Sequence, residues 1–146
     1  MPNLIRFSGV LILALAMVLA WNVARAESEE EFDARPATEA ADAWLTLVDT
    51  GRFGESWDAA APTFREALTR LKWEVAVDEA RNKVGAMLRR KMRSARSVVN
   101  PPNSAPGEYV VIEFETWFQN RPRATETVTL MKVAEGRWKA AGYFIH

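Results

Sequence analysis

Glu126–Ile145, ETVTLMKVAEGRWKAAGYFI, carries two alternating apolar and polar runs separated by Ala134-Glu135-Gly136. Alternation at period two marks strands with one wetted face. Gly136 stands where a three-residue hairpin loop needs positive φ. Setting Val133 opposite Arg137 pairs Leu130 with Ala140 and Val128 with Gly142. That register places Val128, Leu130, Trp138, Ala140, Gly142 and Phe144 on one face. Thr127, Thr129, Met131, Lys139, Ala141 and Tyr143 fall on the other.

Two more strands precede the hairpin. Over Tyr109–Phe118, Val110, Ile112, Phe114 and Phe118 alternate with Val111, Glu113, Glu115 and Trp117. Gln119–Ala124, with Pro122, turns the chain back. Upstream, Asn100–Gly107 holds three prolines and a glycine and must be a loop. Leu88–Val99, LRRKMRSARSVV, is predicted as a strand with Arg90, Met92, Ser94 and Arg96 on one side and Arg89, Lys91, Arg93 and Ala95 on the other.

The first half reads as helix. Pro36 opens a segment in which Ala37, Ala40, Trp44 and Val48 recur at helical spacing, and Gly51 is placed to cap it. A short turn through Phe53, Trp57 and Ala60 is expected to stop at Pro62. Thr63-Phe64-Arg65-Glu66 has the capping-box pattern. After a bend near Thr69, Trp73, Val77, Ala80, Val84 and Met87 form one stripe, with Asp78 beside Arg81 and Glu79 beside Lys83 on the wet side. Gly85 ends the helix. Helices first and strands last predict a single α+β domain over 36–146, its N-terminal helices packed on a curved four-stranded antiparallel sheet with a concave mouth.

Residues 1–26 are expected to be a signal peptide. Arg6 gives a basic start, Val10–Ala20 is unbroken apolar sequence, and Ala24-Arg25-Ala26 is a cleavage pattern. The alternative is an N-terminal membrane anchor. Cleavage near Ala26 would leave a flexible acidic leader over 27–35 and a periplasmic or secreted protein. Removing Arg6 and Arg25 leaves 17 basic against 19 acidic side chains. At that balance nucleic acid as a partner lacks its main driving force. There is no cysteine, which suits an oxidising compartment without requiring one.

Trp44-Leu45, Gly51, Ser56-Trp57, Phe64, Trp73, Arg81, Gly85, Pro106–Val111, Thr116–Phe118, Glu126–Leu130, Gly136–Trp138 and Ala141–Tyr143 resemble the bacterial exported proteins of domain-of-unknown-function family 4019. The resemblance spans nearly all of the mature chain, and the final hairpin is its most specific part. It implies export, and no activity, substrate or catalytic residue comes with it. The order of elements is also similar to cystatin-like and nuclear-transport-factor-2-like cone folds, which host enzymes and binding modules alike.

Few residues suit catalysis. The one histidine is His146, no cysteine or Gly-x-Ser-x-Gly elbow exists, and the usual zinc ligands and phosphate loops are missing, so no cofactor or metal is expected. Carboxylates remain, among them Asp49, Asp58, Glu74, Asp78, Glu113 and Glu115. Glu113 and Glu115, with Lys139 near them, read most simply as cross-strand pairing on a wet face. Arg89, Lys91 and Arg93 form either an anionic-surface contact or a charged edge strand protected from pairing. Trp57, Trp117 and Tyr143 would line an apolar ligand pocket if they converged at the mouth of the cone, and would be core otherwise. The expected function is a non-enzymatic exported domain binding a small apolar ligand or an envelope protein. The alternatives are a cofactor-free enzyme using a buried carboxylate and tyrosine, and a small structural or interaction protein of the envelope.

Overall fold

Pro36 fits the first turn of a helix because it lacks only an amide that would be unpaired there. In the computed structural model, which describes residues 32–146, that helix is α1, Arg35–Asp49. It buries Ala37, Ala41, Trp44, Leu45 and Val48. Gly51, at φ 74°, ends it in a Schellman arrangement: the Arg52 amide donates to Leu47 O (2.8 Å) and the Gly51 amide to Val48 O (3.1 Å). The expected signal segment 1–26, with its alternative as an anchor, and the leader as far as residue 31 lie outside the described residues. Among the described residues no helix is long and apolar enough to cross a membrane.

Two short helices follow, α2 Phe53–Ala59 and α3 Pro62–Ala67. Pro62 therefore starts a helix instead of only stopping one, and the capping box predicted at Thr63 does not form. With Pro62 in the first turn and Ala61 at the N-cap, Thr63 is already inside the helix, and its hydroxyl turns to Met131 Sδ at 3.7 Å. The Ala61 amide instead donates to Ala140 O at 2.8 Å, which ties the start of α3 to the sheet. The bend near Thr69 is a true break. Thr69 caps α4, Arg70–Val84, by accepting from the Lys72 amide, and Gly85 at φ 78° closes the helix. Trp73, Val77 and Val84 are buried as the stripe requires, and Arg81 is buried with them.

The strands are β1 Met87–Val99, β2 Glu108–Phe118, β3 Ala124–Lys132 and β4 Trp138–Ile145, an antiparallel meander in the order β1-β2-β3-β4. The predicted α+β architecture is thus the observed one. The core lies between the layers: Trp44, Leu45, Val48, Phe64, Trp73 and Val77 pack against Val110, Ile112, Phe114, Val128, Leu130 and Ala140.

Register departs from simple alternation in two strands. The β3–β4 turn is a single 3-10 turn, Ala134–Gly136, closed by Val133 N–H to Arg137 O at 2.7 Å, with Glu135 (φ 64°) and Gly136 (φ 70°) both left-handed. Leu130 pairs with Ala140 as predicted, but Thr129 then pairs with Gly142 and Val128 with Tyr143. Ala141 is the extra residue of a bulge. Beyond it the faces exchange, so Tyr143 packs on the core and Phe144 is 59% exposed, the reverse of the predicted assignment. In β1, irregularities between Met87 and Arg89 and between Met92 and Ser94 have the same effect, and Ala95, not Ser94, joins the Arg90 side.

Candidate functional site

Glu126 shares the phase of Val128 and Leu130 along β3, so alternation carries its carboxylate into the core, where none of its surface is exposed. Thr116 on β2, in phase with Phe114 and Phe118, is equally buried. From α4, Arg81 points inward, because a stripe that continues from Val77 to Val84 passes through it. From β1, Arg90 lies on the core side, and from the last turn of α1 comes Asp49.

These side chains form one network. Glu126 Oε2 accepts from Thr116 Oγ1 (2.5 Å) and Arg90 Nε (2.7 Å). Glu126 Oε1 accepts from the Tyr143 hydroxyl (2.5 Å), Arg90 Nη2 (3.1 Å) and, at the limit of reach, Arg81 Nη1 (3.5 Å). Asp49 takes Arg81 Nη2 at 2.7 Å and Arg90 at 2.7 and 2.9 Å, a bidentate clasp. Arg81 also lies over the Phe118 ring and Arg90 near the Phe114 ring, with guanidinium carbons 4.9 and 5.9 Å from the ring centroids. Two carboxylates and two guanidiniums cancel, so the group is neutral as a whole.

Burial alone would raise the Asp49 carboxyl, but hydrogen bonds and charge from Arg90, then Arg81, outweigh it and hold Asp49 below the usual carboxylate value. Arg90 is disfavoured by burial and more than restored by Asp49 and Glu126, so its pKa rises. Burial, and next the Glu126 charge, push the Tyr143 hydroxyl well above a free phenol.

The ring of Tyr143 has a second neighbourhood. With Trp44 and Trp73 it builds an edge-packed aromatic cluster, centroids 5.5 and 6.2 Å away. The same ring lines a groove of about 710 Å³ beside β4. From the core side Phe64, Trp73 and Tyr143 reach this groove. From the opposite sheet face come Tyr109, Val111, Thr129, Gly142 and Phe144. Thr63, Ala67 and Leu68 form the α3 wall, and Pro101, Asn103, Ser104 and Ala105 of the β1–β2 loop form the other. Its size lies within the ~300–1,000 Å³ of small-molecule sites.

Of the three predicted pocket residues, only Tyr143 lines the groove. Trp57 packs at the edge of the core, its Nε1–H donating to Leu68 O at 2.7 Å with Arg65 over its ring. Trp117 lies on the outer face under Arg89, whose guanidinium carbon is 3.7 Å from the ring centroid. The convergence of Trp57, Trp117 and Tyr143 therefore does not occur, because strand parity sends Trp117 away from the helices. Arg89, Lys91 and Arg93 are exposed on β1, which is an edge strand, whereas Arg90 leaves that basic run for the buried network.

Glu113 and Glu115 find Ser94 (3.5 Å) and Arg123 (3.3 Å), while Lys139 stands across from Met131. Glu79 pairs with Lys83 as predicted, but Asp78 holds Asn82 because Arg81 is turned inward. Sequence reasoning passed over Glu126, Thr116 and the inward Arg81 and Arg90. The available signal was a polar residue in phase with flanking core positions. Among the described residues no cluster of acidic or histidine side chains suited to a metal ion comes together.

One solved structure, from Catenulispora Acidiphila, is 17% identical over 86% of this chain and 94% of its own, with a TM-score of 0.45, a likeness too slight to carry any argument. No curated protein matches the chain. Residues 40–143, from the middle of α1 through Tyr143, match the family described as "Protein of unknown function (DUF4019)", and the chain belongs to that family.

Proposed function

We propose that the protein is an exported, non-enzymatic domain of the bacterial envelope that holds a small apolar or amphipathic molecule in the groove beside β4. The observation that carries this reading is the groove itself, about 710 Å³ and lined without a single charged side chain. Export is supported by the basic, apolar and small-residue succession of residues 1–26. Recovery of the protein from the cytoplasm with none in the envelope would refute that part, and an exported chain that still included residues 1–26 would refute cleavage alone.

A cofactor-free enzyme would need its acid–base pair within reach of the bound molecule. Glu126 and Tyr143 have the right chemistry, yet Glu126 does not line the groove and both its oxygens are filled by neighbours. The pair fits a latch better than a proton relay. Titration with the neutral reporter N-phenyl-1-naphthylamine tests the binding reading. Saturable fluorescence enhancement is expected, reduced at least ~tenfold in affinity by Ala67→Trp, which fills the groove from its exposed rim. Enhancement that never saturates, or that Ala67→Trp leaves unchanged, would refute it.

A further inference from the structure

No charged side chain lines the groove. Arg65 and Glu66 flank its α3 wall and Lys139 the strand beyond, but the surface that meets a ligand is formed by aromatic, aliphatic, hydroxyl and amide groups. The buried hydrogen-bond donors of its lining are already engaged, and the unpartnered Nε of Arg65 lies outside that lining, on the side chain that covers Trp57. Tyr109 donates to Ala105 O at 2.7 Å, Tyr143 to Glu126 at 2.5 Å, and Trp73 Nε1–H to Ser56 Oγ at 2.9 Å. None of them is free to meet an oxyanion. Besides the half-buried hydroxyls of Thr63 and Thr129, the polar groups of the lining are Asn103 and Ser104, both exposed, on a loop whose residues 100–107 carry no charge.

We propose that this groove selects an uncharged amphiphile, a single acyl chain or comparable apolar body with a neutral hydroxyl-bearing head, laid with the chain against Phe64, Trp73 and Val111 and the head at Asn103 and Ser104. The inference rests on the groove being a ligand site, as proposed above. The physical reason is the missing counter-charge. An ionised head drawn towards the groove loses hydration and gains no opposite charge, whereas a hydroxyl exchanges one neutral hydrogen bond for another. A site built for fatty acids or other anions would place an arginine or lysine where this loop has asparagine and serine.

Three probes with the same twelve-carbon chain length separate the possibilities at pH 8: 1-monolaurin, laurate and dodecyltrimethylammonium, each below its micelle concentration. The readout is intrinsic fluorescence of the full protein, in which Trp73 is the tryptophan that lines the groove. Monolaurin is expected to bind at least ~tenfold tighter than either ion, with a signal that Trp73→Phe removes. The exposed substitution Ser104→Lys is expected to strengthen laurate binding several-fold and change monolaurin binding less than about twofold. Laurate or the ammonium binding as tightly as monolaurin overturns the selectivity and leaves the ligand-site reading standing. An unchanged laurate affinity in Ser104→Lys overturns the placement of the head. Binding by none of the three overturns both.

Discussion

Glu126 is the residue on which the interior depends most. Its carboxylate is sealed and answers Arg90, Arg81, Thr116 and Tyr143 at once. Removing one member of such a set strands the rest, a loss that typically exceeds what the set contributes over an apolar replacement. Glu126→Ala should therefore cost about 3–5 kcal/mol in denaturant unfolding, and a loss below about 1 kcal/mol would show that Asp49 alone satisfies both guanidiniums.

The neighbours give the pH dependence its sign. Asp49 is held below its unfolded value, so its stabilisation is present above pH ~4 and is lost as pH falls through the folded value. Tyr143 is shifted upward, so the unfolded chain releases its proton first, and stability falls as pH climbs past ~10. Melting curves across pH 3–11 should show both limbs. Tyr143→Phe should flatten the alkaline one and Asp49→Asn the acidic one, and unchanged limbs in both variants would contradict the assignment.

At the scale of elements, the bulge at Ala141 decides which aromatic residue meets the network. Deleting Ala141 would remove the extra residue yet leave Gly142 opposite Thr129 and Tyr143 opposite Val128, so the Tyr143 hydroxyl stays with Glu126 and Phe144 stays outside. The deletion should therefore cost less than Tyr143→Phe, which removes a hydrogen bond to a charged partner worth about 1.5–3 kcal/mol. An equal or larger loss in denaturant unfolding would mean that the strand re-registers and Tyr143 leaves Glu126. β1 poses a different question. Its exposed Arg89, Lys91 and Arg93 lie on the open edge of the sheet, interrupted by irregular pairing at both ends of the run. Replacing all three with serine should bring self-association in sedimentation experiments if the charges guard the edge. Lost adsorption to anionic vesicles without association would identify a membrane contact instead.

For the molecule as a whole, the order of helices and strands, the Gly51, Gly85 and Gly136 stops and the antiparallel four-stranded sheet could be read from the chain, because each rests on local periodicity or on a residue with one conformational use. Bulges could not. Nothing in Ala140-Ala141-Gly142 distinguishes an extra residue from a paired one until both strands and α3 are in place, with the Ala61 amide on Ala140 O. The groove was illegible for the same reason, since its walls come from α3, the 100–107 loop and both sides of one strand. Trp57 and Trp117 attracted notice through size alone, whereas Glu126 sat unremarked at a position whose phase already placed it inside.

The hold of α3 on β4 has one more effect. It occupies part of one rim of the sheet, so among the described strands the long uncovered rim is β1. Copies that join through the β1 rim meet like to like about a twofold axis, which ends growth at a pair.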